Sequence, residues 1–150
     1  IFAPSAINAQ PWEVRVIQKP EVLEEITKRH LAYLQAQNKN VPNPKQYSAT
    51  YHAPALIIIS RALKGPGTLS TLLDCGLILQ NIMLAAHGLN LGTCPMGSIV
   101  PFLNHETNSD LLRLFNIPED YEVAITAVVG HADETPEAPI RYSDKVKYIR

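Results

Sequence analysis

Residues 69–98 read LSTLLDCGLILQNIMLAAHGLNLGTCPMGS, and no other stretch constrains the fold as strongly. Leu69, Leu72, Leu73, Cys75, Leu77, Ile78, Leu79, Ile82, Met83, Leu84, Ala85 and Ala86 cover more of a helical circumference than the stripe of a surface helix. Such a helix needs cover on most of its sides. Two arrangements supply it: the helix is the centre of one chain's core, or it also meets a second subunit. The residues alone leave both open.

The remaining 120 or so residues offer this helix one domain, not several. With 150 residues, 46% of them hydrophobic, residues 1–150 are read as a single unit with enough length for a real core. A net charge of −1 with both signs interspersed leaves no basic footprint for nucleic acid. Asp74, Gln80 and Asn81 interrupt the longest apolar run, so no membrane span is expected. Cys75 and Cys94 make no disulfide framework, and a cytoplasmic setting is expected. The chain opens on Ile1-Phe2 and not on Met, which is read as a start inside a longer protein.

In chain order, residues 1–12 (IFAPSAINAQPW) lack any period and predict an ordered loop. Residues 12–17 (WEVRVI) alternate as a half-buried strand does. Pro20 suits the first position of a helix running to about residue 37, with Glu21, Glu24 and Glu25 near its start. Val22, Leu23, Ile26, His30, Leu31 and Leu34 form its apolar face. The polar residues 38–51, with Pro42 and Pro44, predict a mobile lid or surface excursion. Residues 55–60 (ALIIIS) read as a strand covered on both faces.

After the break at Gly65, Pro66 and Gly67, a cap at Thr68, Ser70 or Thr71 opens the long helix. It is expected to end at His87 and Gly88, with the glycine supplying a left-handed conformation. Residues 92–98 (GTCPMGS) read as a connection. A further helix is expected over 104–115, with Thr107 and Asp110 at capping-box spacing. Residues 123–130 (VAITAVVG) form a third strand, and residues 131–150 are expected to lie against the core.

The chain lacks a G-x-S-x-G elbow, a phosphate loop, an H-E-x-x-H and a C-x-x-C pair, and its five histidines are scattered. No side chain is therefore assigned as catalytic, and no metal ligand is assigned. Two irregular segments remain. Between Pro4 and Pro11, Ser5 and Asn8 offer a hydroxyl and an amide that could bind a ligand or satisfy turn backbone. In residues 92–98, Gly97 lets another ring approach the backbone, and Gly97 and Ser98 supply N–H donors. A plain helix-to-strand connection is the alternative.

Taken in order, APSAINAQPW before a strand, DCGLILQNIMLAAHGLNLGTCPMG, and FNIPEDYEVAITAVVGHADETPEAP resemble the FMN-dependent nitroreductase family. The resemblance covers residues 3–141. It implies an α+β fold, a nitroreductase-like three-layer sandwich with a mostly antiparallel sheet flanked by helices. It also implies a homodimer with the long central helix in its interface, which favours the second arrangement for residues 69–98. By the same resemblance Pro4, Ser5 and Asn8 contact FMN bound mainly by the partner chain. Pro95, Met96, Gly97 and Ser98 line the flavin ring, and Arg141 meets the phosphate.

The implied activity is a flavin-dependent oxidoreductase that passes a hydride from NAD(P)H through FMN N5 to a nitroaromatic, quinone or similar small-molecule acceptor. The alternatives are a flavin-binding or structural dimer without turnover, and a specialised flavin reaction such as dehalogenation. The sequence departs from the family's pattern in one respect: no Arg-rich, Ser-containing phosphate-binding segment precedes Ile1. The expectation is that this segment belongs to the natural protein and is missing from the chain as given.

Overall fold

The computed structural model describes residues 2–65, 67 and 70–149. Thr68, Leu69, Pro66 and Ile1, which figure in the readings of the cap, the long stretch, the break and the chain start, lie outside the described residues. The elements run β1 (Trp12–Ile17), α1 (Pro20–Ala36), β2 (Ala55–Ala62), α2 (Thr71–Gly88), β3 (Gly92–Met96), α3 (Val100–Leu103), α4 (Ser109–Leu114) and β4 (Tyr121–Gly130). Short 3-10 turns occur at Ala6–Asn8, Pro44–Gln46, Glu106–Asn108 and Ser143–Lys145.

The four strands form one sheet in the order β1-β2-β4-β3, every pair antiparallel. The two central strands, β2 and β4, carry the near-continuous apolar runs, because each needs cover on both faces. Leu56 and Ile58 point to one face and Ile57 and Ile59 to the other. The first face packs on Leu23 and Ile26 of α1, Phe102 and Leu103 of α3, and Leu111 of α4. The second packs on Cys75 and Ile78 of α2. Helices thus lie on both sides of the sheet, which is the expected three-layer α+β arrangement. Burying each of Leu56, Ile58 and Ile59 contributes about 1.5–3 kcal/mol.

A bulge interrupts the β2/β4 ladder. Pairing jumps from Ile59↔Ile125 to Ser60↔Val123, so Ala124 is the extra residue. As a result Ala124 and Ile125 both pack on the α2 side.

Several expectations need correction. Residues 92–96 are not a connection but a fourth strand, at the sheet edge, where Pro95 costs no interior ladder bond. Gly88 is the last helical residue of α2, while the left-handed residue is Asn90 at φ 58°. The Asn90 N–H donates to the His87 carbonyl and the Leu91 N–H to that of Ala86, the double bond pattern of a Schellman end. Ser70 precedes α2 but makes no side-chain cap bond.

The helix expected over 104–115 is instead a 3-10 turn followed by the short α4. The capping box does not form: His105 Nδ1 accepts from the Thr107 N–H, and Asp110 pairs with Arg29 at 2.8 Å. Residues 38–51 do not all stand away from the body. Ala49 and Thr50 are buried, the Ala49 N–H donates to Thr27 Oγ1, and Tyr47 OH lies 2.7 Å from His30 Nδ1. Finally, residues 131–149 do not lie against the core: every one is exposed in the single chain. Among the described residues no helix is long and apolar enough to cross a membrane.

Candidate functional site

The first segment begins with Ala3, buried against Cys75 and Ile78 of α2. Pro4 stands exposed beside it, and Ser5 is extended before the chain closes into the Ala6–Asn8 turn. The Asn8 N–H donates to the Ser5 carbonyl, and Ser5 Oγ accepts the Gln10 N–H at 2.9 Å. Asn8 Oδ1 accepts from the Gln10 side-chain amide. Ser5 Oγ therefore serves a backbone group of the segment, while the Asn8 side chain meets the Gln10 side chain, and Asn8 itself stays exposed. Ile7, Asn8 and Gln10 all have positive φ, which for a β-branched residue such as Ile7 is strained.

The turn is tied to α2 through Asp74, a residue that sequence reasoning treated only as a break in an apolar run. Asp74 is 3% exposed, and its Oδ1 accepts the Ala6 N–H at 3.1 Å. The signal was present: a lone carboxylate in the first turn of an otherwise apolar helix. Beside it, Arg61 donates from Nε to Glu122 Oε1 at 2.8 Å and from Nη1 to Thr71 Oγ1 at 3.0 Å, joining the start of α2 to the sheet end. Burial pushes the neighbouring Cys75 thiol up to about 11, with the Asp74 charge adding and Arg61 opposing, so this sulfur is no nucleophile.

The second segment is the end of β3. Met96 keeps its side chain in the core on the face opposite α2, so it can offer a ligand only backbone, which narrows the role expected of it. Its carbonyl accepts from buried Thr126 Oγ1 at 2.8 Å. Pro95, Gly97 and Ser98 are exposed. Among the described residues, neither the Gly97 nor the Ser98 N–H finds an acceptor. Gly97 has no positive φ, and a Cβ built on it would meet only Ile125 Cδ1, at 3.9 Å. Among the described residues nothing demands a glycine there.

β1 and β3 are the two edges of the sheet, three strand spacings or roughly 14 Å apart. No hydrogen bond among the described residues joins residues 3–10 to residues 95–98. Arg141 stands in the exposed C-terminal segment and donates from Nη1 to the Pro139 carbonyl. Pro4, Ser5 and Asn8 thus lie beside the start of α2, Gly97 and Ser98 follow the end of β3, and Arg141 stands in the C-terminal segment. Two surface grooves, of about 490 Å³ beside Tyr33 and His105 and about 390 Å³ beside Tyr47 and Tyr51, involve none of these residues.

α2 presents a face without a partner. Leu73 and Leu77 are 73% and 44% exposed, and Leu72 and Leu84 are exposed beside them. The composition that argued for cover on most sides is met on one side only within the chain.

A family model described as Nitroreductase family matches residues 1–131. A protein of Methanothermobacter thermautotrophicus that carries the name NADH dehydrogenase/NAD(P)H nitroreductase is 32% identical over 137 residues. That match takes in 89% of this chain and 61% of the relative, so the chain spans about three-fifths of the relative's length. Among solved structures, a nitroreductase with bound FMN from Desulfitobacterium hafniense is 26% identical, with a TM-score of 0.77 over 99% of this chain and 80% of that one. A nitroreductase with bound FMN from Bacteroides fragilis superposes with a TM-score of 0.83 at 19% identity, over 99% and 81% of the two chains, and shares the fold.

Proposed function

Because the chain belongs to the nitroreductase family, we propose that it binds FMN and works as a flavin-dependent oxidoreductase, taking a hydride from NAD(P)H and passing it to a nitroaromatic, quinone or similar acceptor. When bound, FMN supplies the hydride chemistry, and the protein supplies position and electrostatics. The observation that carries the reading is the end of β3. Among the described residues Gly97 and Ser98 leave two N–H donors unmatched at an exposed turn, where a Cβ on Gly97 would meet Ile125 Cδ1 alone, at 3.9 Å. Such a turn suits a flat ring whose edge bears acceptors and gains negative charge on reduction.

The residues divide the work. Gly97 and Ser98 would offer N–H donors to the cofactor, and Pro95 with the Met96 backbone would line its site. Pro4, Ser5 and Asn8 would contact the cofactor from a second copy of the chain, across the interface that the exposed leucines of α2 would form. Arg141 would supply positive charge for the phosphate, which favours guanidinium donors. No side chain of this set is asked to transfer a proton.

The dimer rests on α2. Its exposed leucines would bury against a second copy, and the apolar Ile140, Tyr142, Val146, Tyr148 and Ile149 of the exposed C-terminal segment need cover as well. The free thiols Cys75 and Cys94 accord with the cytoplasmic reading.

The test is the absorption spectrum of the purified full-length protein. Flavin bands that bleach anaerobically with NADH or NADPH, and return on adding a quinone or nitroaromatic, are expected. A colourless protein that takes up no added FMN overturns the reading. Bound flavin that no reduced nicotinamide bleaches leaves a flavin-binding dimer and removes the oxidoreductase.

A further inference from the structure

The turn that presents Ser5 and Asn8 is held in a conformation it would not adopt alone. Ile7 sits at φ 49°, Asn8 at 56° and Gln10 at 47°. Strained backbone of this kind persists only where its surroundings over-determine it. Among the described residues, the hydrogen bonds within residues 5–10 are internal to the turn, apart from one: the Ala6 N–H donates to Asp74 Oδ1. Ala3 anchors the segment on one side by burial, and Gly67 closes on the other. A Cβ built on Gly67 would lie 3.6 Å from the Ala6 carbonyl oxygen.

Asp74 is an expensive way to make that one bond. It is 3% exposed, and its second oxygen, Oδ2, is buried with no hydrogen-bond partner among the described residues. A buried carboxylate with half its acceptor capacity unused costs stability relative to a small apolar residue in the same place. Its location in the first turn of α2 offsets part of that cost through the helix dipole. What the residue obtains in return is a charge-assisted acceptor aimed at the backbone of the strained turn.

We propose that Asp74 is a positioning residue for the cofactor: by holding the Ala6 N–H it fixes the turn from Ser5 to Asn8, and so sets the affinity of this face for FMN. The proposal rests on the flavin reading above and assigns a role to a residue with no place in the cofactor-contacting set. Asp74 acts through the backbone of Ala6 and touches no flavin itself.

The experiment titrates FMN into flavin-stripped, full-length wild type, Asp74→Ala and Asp74→Asn, following fluorescence quenching. Backbone amide exchange at residues 6–8 and thermal unfolding of the same apo samples accompany it. Asp74→Ala is expected to weaken FMN by about tenfold or more, the loss that goes with one charge-assisted hydrogen bond. It should also speed exchange at residues 6–8. Asp74→Asn keeps an acceptor toward Ala6 and is expected to stay within about threefold of wild type. That rescue separates positioning from bulk stability.

A folded Asp74→Ala protein with wild-type affinity, or with unchanged exchange at residues 6–8, overturns the proposal. If Asp74→Ala does not fold, Ala6→Pro decides, since it removes the donor and leaves Asp74 in place. Ala6 opens a 3-10 turn after an extended Ser5, a position proline tolerates. Wild-type affinity in that variant overturns the proposal equally. A wild type that never binds FMN overturns the flavin reading instead, and the exchange data still decide whether Asp74 holds the turn.

Discussion

Thr126 and Met96 are joined twice: they are register partners across β4 and β3, and Thr126 Oγ1 donates to the Met96 carbonyl at 2.8 Å inside the core. The second bond matters because Met96 directly precedes Gly97 and Ser98. It pins the last residue of an edge strand whose next two residues leave their N–H groups unmatched. Thr126→Val keeps the shape and removes the hydroxyl. The expected loss is about 1–2 kcal/mol of unfolding free energy in urea, together with weaker FMN binding, while Thr126→Ser stays close to wild type.

Gly97→Val separates flavin binding from folding. The chain leaves room at this position, with Ile125 Cδ1 the one nearby atom, and the backbone there does not require glycine. The apo protein should therefore unfold within about 1 kcal/mol of wild type and keep its oligomeric state. FMN affinity should fall at least about tenfold, because a branched side chain occupies the space assigned to the ring. Equal flavin affinity in fluorescence titration would remove residues 95–98 from the site.

Leu73 and Leu77 test the assembly. Both project from α2 into solvent in the single chain. Leu73→Lys with Leu77→Lys should convert a dimer into a monomer in light-scattering chromatography and release flavin with it, as a site shared between copies requires. A wild-type protein that is monomeric and still binds FMN would overturn the shared site.

His30 makes stability depend on pH. It is 3% exposed, ringed by Tyr33, Tyr47 and Phe102, and burial holds its pKa below the ordinary 6.5, with Lys39 adding to the effect. The native imidazole stays neutral while the unfolded one takes up a proton. Stability is therefore level above pH about 6.5 and falls as pH drops below it, until the lowered native pKa is reached. Urea midpoints measured from pH 7.5 to 5 should show this decline in wild type and a shallower one in His30→Phe.

Thiol reactivity reports the same packing from the other side of the sheet. Cys94 is exposed on β3, whereas Cys75 is buried and its pKa lies at about 11. A thiol-specific reagent should label Cys94 quickly in the native protein and Cys75 only after denaturant is added. Rapid native labelling of Cys75 would contradict the packing of α2 on Ile57 and Ile59.

Strands β1, β2 and β4 and helices α1 and α2 were legible because their patterns are local: alternation, β-branched runs, Pro20 at a helix start. β3 was not, since Gly92 and Pro95 have weak strand preference and residues 92–96 become a strand only by pairing with residues 126–130 of β4. Gly97 and Ser98 could be proposed from residue type, but that their N–H groups are unmatched is a fact of the turn's geometry. Asp74 could be seen as an oddity and not as an anchor, because its partner lies 68 residues away at Ala6.

By itself the sequence determined most of the strands and helices and which of their residues seek cover, while the three-layer arrangement was implied by the family resemblance. Apolar periodicity decides which residues leave water, and that preference is carried by each residue wherever its neighbours come from. Only the tertiary structure decided which face of α2 is used within the chain. The α2 pattern states how much of the helix needs cover, while the sheet covers Cys75 and Ile78 and leaves Leu73 and Leu77 in solvent. The same holds for residues 92–96, which become an edge strand only by pairing with β4, and no local pattern encodes long-range pairing of that kind.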